Sequence, residues 1–98
     1  DASEPAEVMN KDNVYAYPNP VTPDYTGDVT IVGLSFDADV KIVTSNGVLV
    51  NSGRSTGGTY RWNGRDLKGK RVASGVYMVE TAMQDGGKGV VCKIAIVN

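Results

Sequence analysis

The strongest constraint on this chain is its preference for side chains branched at Cβ. Of its 98 residues, 15 are Val, 4 are Ile and 7 are Thr, against only 3 Leu and 7 Ala. Such side chains lose rotamer freedom in a helix and pack well on a pleated surface. Twelve Gly and four Pro interrupt the chain at short intervals, and no stretch sustains a helical apolar period. The reading is all-β. At this length the chain buries roughly two-thirds of its unfolded surface, enough for one core and one domain.

Apolar residues make up 41% of the chain and charged residues 21%, proportions of an ordinary globular domain rather than a disordered segment. The longest apolar runs are about four residues, far short of the roughly 20 that span a membrane as a helix. No basic-then-apolar start marks a signal peptide. The first residue is Asp1, not Met, so the sequence is expected to be a segment of something longer.

Histidine is absent. That removes the commonest general base and metal ligand, and with it Ser-His-Asp and Cys-His designs. A single cysteine, Cys92, makes no internal disulfide and no Cys-rich zinc site. With no helix, no Gly-rich phosphate loop has a helix to lead into. The expectation is a non-enzymatic domain without cofactor or metal.

Residues 1–13 are acidic and aperiodic and read as a linker; the folded domain is expected over 14–98. A short strand at 14–17 carries Tyr15 and Tyr17 in alternation. Pro18 and Pro20 follow, and neither can donate a ladder hydrogen bond, so 18–21 reads as an edge segment or corner. Further strands are expected at 28–34, 39–44, 48–51, 59–62, 76–83 and 89–97. Asn46-Gly47 marks a hairpin in which both residues tolerate positive φ, and Asp85-Gly86-Gly87 marks a second. In the last strand Val90, Cys92, Ile94 and Ile96 are expected to face inward. Seven short strands with turn signals at this spacing predict an antiparallel, immunoglobulin-like β-sandwich.

Tyr77, at the start of the 76–83 strand, matches the tyrosine that hydrogen-bonds back across a corner in such sandwiches. The Cys…Trp…Cys signature of antibody domains is missing. Trp62, the one tryptophan, would stack on a sugar if exposed; sharing a face with Tyr60, it is expected in the core. The 63–69 stretch superficially resembles a calcium loop, but Arg65 sits where an oxygen ligand is needed and no bidentate Glu follows. Asp37 and Asp39 flank a turn and offer at most a weak calcium site; the favoured reading is turn and strand-cap residues. Cys92 alternates with apolar neighbours and reads as a small buried hydrophobe.

Net charge is −1, yet the signs are segregated. Residues 1–39 carry eight acids and one base; residues 40–98 carry nine bases and three acids. Five bases crowd one stretch: Arg61, Arg65, Lys68, Lys70 and Arg71, opposed there only by Asp66. Such a cluster attracts phosphates or acidic glycans, or is a solvated turn beside a strand. The acidic overall balance, with a pI near 5.2, and the lack of a recognised motif argue against nucleic acid.

Several pieces occur in a telling order: Tyr17-Pro18-Asn19-Pro20-Val21, Gly27-Asp28-Val29-Thr30-Ile31, Asn46-Gly47, Trp62-Asn63-Gly64-Arg65-Asp66, Ser74-Gly75-Val76-Tyr77, and Lys93-Ile94-Ala95-Ile96-Val97. Together they resemble the C-terminal sorting domain of the type IX (Por) secretion system of Bacteroidota. Within that family the chain looks most like the tail of the surface β-propeller component of the sortase complex. The central part is also similar to the immunoglobulin-like domain of flagellar hook-capping proteins. The resemblance implies a periplasmic passage to the outer membrane or cell surface, with translocon and sortase components as partners. Cargo tails of this kind are removed by the sortase as the cargo is joined to anionic lipopolysaccharide; in the propeller component the tail is retained and implicated in binding that lipopolysaccharide. Arg61, Arg65, Lys68, Lys70 and Arg71 are the expected contact residues. The alternatives are a carbohydrate-binding module, which requires exposed aromatics on one face, and a structural spacer of a secreted enzyme.

Overall fold

A computed structural model describes residues 13–82 and 88–98 of the chain. Its strands are β1 (Tyr15–Tyr17), β2 (Val29–Val32), β3 (Asp39–Thr44), β4 (Leu49–Arg54), β5 (Tyr60–Trp62), β6 (Gly75–Ala82) and β7 (Lys88–Ile96). They form a three-stranded sheet, β1-β2-β5, and a four-stranded sheet, β4-β3-β6-β7. Every paired neighbour is antiparallel. The first, second and fifth strands oppose the other four, the division of an immunoglobulin-like sandwich. The expected fold class and seven strands are found; the 1–12 linker, Met83 and the Asp85-Gly86-Gly87 turn lie outside the described residues.

Period-two alternation sets the core. Val29 and Ile31 of β2, Ile42 of β3, Val79 of β6 and Ile94 of β7 are buried between the sheets, each worth about 1.5–3 kcal/mol of apolar transfer. Trp62 of β5, 1% exposed, packs against Tyr77 of β6 with ring centroids 5.7 Å apart and planes 59° apart. Trp62 is thus core, as expected, and is not available to stack on a sugar. The Tyr77 hydroxyl donates to the Ala73 carbonyl at 2.6 Å, the corner bond anticipated for it. Tyr60 lies half-buried over Gly53, where a Cβ would come within 2.6 Å of its ring, and its hydroxyl donates to Asn51 Oδ1. That contact closes β5 onto the β4 edge of the other sheet.

Three expectations need correction. In β7 the inward residue near the start is Val91, buried, while Val90 is only half-buried. The cause is a β-bulge: Val79 pairs with Cys92 but Glu80 pairs with Val90, so Val91 is an extra residue. Two consecutive side chains then turn toward the core. Cys92 packs half-buried against that core, and burial pushes its thiol pKa up, opposed by a backbone contact to Lys93. At the Asn46-Gly47 turn only Gly47 has positive φ, +86°. The Gly47 N–H donates to the Thr44 carbonyl and the Thr44 N–H to that of Val48. This is a turn closed by a left-handed glycine and a bulge, not a two-residue primed turn. It delays the return strand to Leu49 and leaves Val48 exposed, and the strand runs on through Gly53 and Arg54.

The proline segment is an edge element, as its missing donors require. The Val21 N–H donates to the Ala95 carbonyl, and the Val97 N–H to that of Val21, both at 2.8 Å. At the other end of the sandwich Arg54 binds Asp37 at 2.9 Å and Asp39 at 2.6 Å. Both carboxylates therefore fix a turn and strand end.

Candidate functional site

β5 ends at Trp62, and its indole carries the core into the turn that follows by donating to the Arg65 carbonyl at 2.9 Å. Asn63 Oδ1 accepts the Arg65 N–H at 3.0 Å. Asp66 then organises the tip. Its carboxylate accepts the N–H groups of Lys68 at 2.9 Å and Lys70 at 3.0 Å. Its own N–H donates to the Lys70 carbonyl and its carbonyl accepts the Gly69 N–H. Side-chain acceptance from the following backbone is what favours Asp at such a position, and Gly69, at φ +83°, supplies the left-handed residue that closes the turn. At the neck the Val72 N–H donates to the Gly64 carbonyl, and Arg65 pairs with Arg71 as a single bridge. The basic stretch is therefore a closed hairpin-like turn.

The hydrogen bond from the Lys70 N–H is the main reason that the Asp66 carboxyl is held below its ordinary value of 3.8; the Lys68 N–H and the charges of both lysines add to it, and burial opposes. At neutral pH Asp66 is thus a carboxylate spent on the turn's own backbone.

The five expected bases are not one patch. Lys68 and Lys70 stand exposed at the tip, with ammonium groups that make no hydrogen bond or ion pair among the described residues. Arg65 is exposed but folds one donor back onto the Gly69 carbonyl at 2.9 Å. Arg71 turns inward, half-buried. Arg61 is not in the turn at all: it lies in β5 opposite Thr30, on the outer face of the three-stranded sheet.

Beside the turn lies an open groove of about 460 Å³ between the β3–β4 hairpin and the segment leading to β6. Val48, Leu49 and Val50 form one wall, Lys70, Arg71 and Val72 another. Nε and Nη2 of Arg71 are buried without a hydrogen-bond partner among the described residues. These two nitrogens share one edge of the guanidinium, the edge that binds a carboxylate or phosphate through two parallel bonds. Unpaired buried donors are costly, so an anion that reached this edge would recover that cost. Sequence reasoning did not include Val48 and Leu49 in the site; the signal was an apolar pair directly after a Gly turn, where strand pairing has not yet resumed.

Neither the protein-family models nor the curated proteins compared with this sequence match it. Among solved structures, the chain superposes on PorZ of Porphyromonas gingivalis, described as an essential bacterial surface component of the type-IX secretion system, with a TM-score of 0.79 and 35% identity. The match covers 94% of this chain and 12% of PorZ, so the chain spans about one-eighth of that protein's length. In sequence and in fold, then, this chain resembles a segment of a type IX secretion surface component.

Proposed function

We propose that the chain is a non-enzymatic module, residues 14–98 led by a 1–13 tether, that directs or anchors a larger protein at the outer membrane or cell surface through the type IX secretion system. In this reading its partners are translocon or sortase components and anionic lipopolysaccharide. Arg65, Lys68, Lys70 and Arg71 meet the anionic groups, and Arg61 contributes from the adjoining sheet face. The observation that carries the reading is the similarity to PorZ over nearly the whole chain. The free lysines of the ordered turn and the unpaired edge of Arg71 beside an apolar groove support it, because they suit a ligand that is both charged and partly apolar.

Exposed charges contribute little to folding but speed encounters with an opposite charge by 10- to roughly 1,000-fold at low salt. Replacing Arg65, Lys68 and Lys70 by Ser is expected to leave the melting curve nearly unchanged and to weaken retention on purified anionic lipopolysaccharide. The residual binding should depend less on salt, since fewer charges are screened. Equal retention of both proteins across a salt series would remove the turn from the function and favour a structural spacer.

A further inference from the structure

We propose that the Asn63-Gly64 step is a self-modifying site: the Gly64 nitrogen closes on the Asn63 carboxamide, and the succinimide so formed opens with water to aspartate and isoaspartate. The chain holds two Asn-Gly steps, Asn46-Gly47 and Asn63-Gly64. In an unfolded chain the two are chemically alike, because a glycine leaves the attacking nitrogen unhindered. The fold treats them differently.

At Asn46 the nitrogen that would attack is occupied. The Gly47 N–H donates to the Thr44 carbonyl at 2.9 Å and closes the β3–β4 turn. Thr44 Oγ1 also accepts the N–H groups of Asn46 at 3.3 Å and Val48 at 3.1 Å. Ring closure there has to break the hairpin turn first.

At Asn63 the reacting groups are placed for the step. The residue is exposed, so its amide nitrogen can leave into water. Asn63 Oδ1 accepts the Arg65 N–H at 3.0 Å, which folds the carboxamide back toward the peptide that joins Asn63 to Gly64. That N–H already points at the oxygen on which negative charge grows as the nitrogen attacks, and a fixed donor there lowers the barrier. The Gly64 N–H makes no hydrogen bond among the described residues, although Gly64 is buried. A buried donor without a partner is costly, and ring closure removes it. Gly64 has φ +74°, and a Cβ built on it would meet nothing within 4 Å, so the peptide has room to turn.

The Gly64 nitrogen gives up its proton and bonds to Asn63 Cγ; the Cγ–Nδ2 bond breaks, and ammonia leaves with that proton. Water then opens the ring. Cleavage between the nitrogen and Cγ leaves aspartate at position 63. Cleavage between the nitrogen and the main-chain carbonyl carbon leaves isoaspartate, with the backbone rerouted through Cβ and Cγ. Either product adds a carboxylate next to Arg65, and the second also lengthens the link between Trp62 and the basic turn. The step needs water alone and stands whether or not the turn meets lipopolysaccharide.

The test keeps the 98-residue chain at neutral pH and constant temperature, folded and in urea, and follows positions 46 and 63 by peptide mapping with isoaspartyl detection. In urea the two positions should convert at similar rates. In the folded chain position 63 should lead position 46 by about tenfold or more, a modest share of what one oriented donor supplies. Asn46→Gln should leave the folded-state signal in place, and Asn63→Gln should abolish it. Equal rates in the folded chain, a faster position 46, or no conversion at 63 while the urea sample converts would each overturn the site. A folded-state isoaspartyl signal that survives Asn63→Gln would do the same.

Discussion

Ala95 donates its backbone N–H to the side-chain oxygen of Asn19 at 3.0 Å. The amide nitrogen of that side chain donates in turn to the Lys93 carbonyl at 2.9 Å. One carboxamide therefore does for β7 what a neighbouring strand would do. Pro18 and Pro20 flank it and have no N–H to offer an incoming chain, and Val21 continues the cover with its own backbone. An exposed edge at the last strand of a sandwich is a template for self-association; here it is closed from residue 93 to 97.

Asn19→Ala is expected to destabilise the domain by about 1 kcal/mol, the net worth of exposed hydrogen bonds of this kind, and to raise its tendency to associate. Urea midpoints and sedimentation velocity read the two effects separately. An unchanged midpoint with an unchanged monomer would mean that Val21 alone guards the edge.

Trp62 and Tyr77 join the two sheets and fix the corner and the turn at once. Trp62→Ala is expected to cost about 3–5 kcal/mol, a large share of the 5–15 kcal/mol typical of a domain. Tyr77→Phe keeps the ring but loses the bond to Ala73 and should cost about 1 kcal/mol. Denaturant melts check both. A Trp62→Ala midpoint within error of the parent would put the indole on the surface.

Much of this was legible in the chain itself. Strands followed β-branched alternation, Tyr77 stood where a corner needs it, and Pro18 and Pro20 could only lie at an edge. What escaped was local and physical. A bulge adds one residue, and a period-two pattern has no mark for the place where parity slips, so Val90 and Val91 were exchanged. Arg61 and Arg71 looked contiguous with the lysines in sequence, but a strand's alternation sends Arg61 to a sheet face and the neck of the turn sends Arg71 to the groove. Tyr15 and Tyr17 were visibly alternating; that both lie outside follows only once Ala16 is known to face the core.

The bulge itself can be tested by paired truncations. Val91→Ala removes buried methyl groups and is expected to cost about 2 kcal/mol, whereas Val90→Ala, at a half-buried site opposite Glu80, should cost well under half of that. Equal costs, or the reverse order, would restore uninterrupted alternation along β7. Removing 91–98 altogether takes away Val91, Ile94 and Ile96 from the core and strips β6 of a partner, and it should abolish the cooperative urea transition. A truncated chain that still unfolds cooperatively as a monomer would make β7 an appendage.

Asp66 makes the basic turn sensitive to acid. Its folded pKa is lowered from 3.8, first by the Lys70 N–H and further by that of Lys68. A carboxyl depressed in the folded state contributes order that is complete above its unfolded value and is lost as pH falls through the folded one. The turn should therefore be constant from neutrality down to about pH 4 and loosen only below 3.8. Amide shifts of Lys68 and Lys70 followed against pH should bend together in that acid window. Asp66→Asn retains an acceptor oxygen but no titrating group, so the same shifts should stay flat. A common inflection at or above 3.8 in the parent would show that these two N–H groups do not hold the carboxylate, and that the turn owes its shape to Gly69 and the backbone alone.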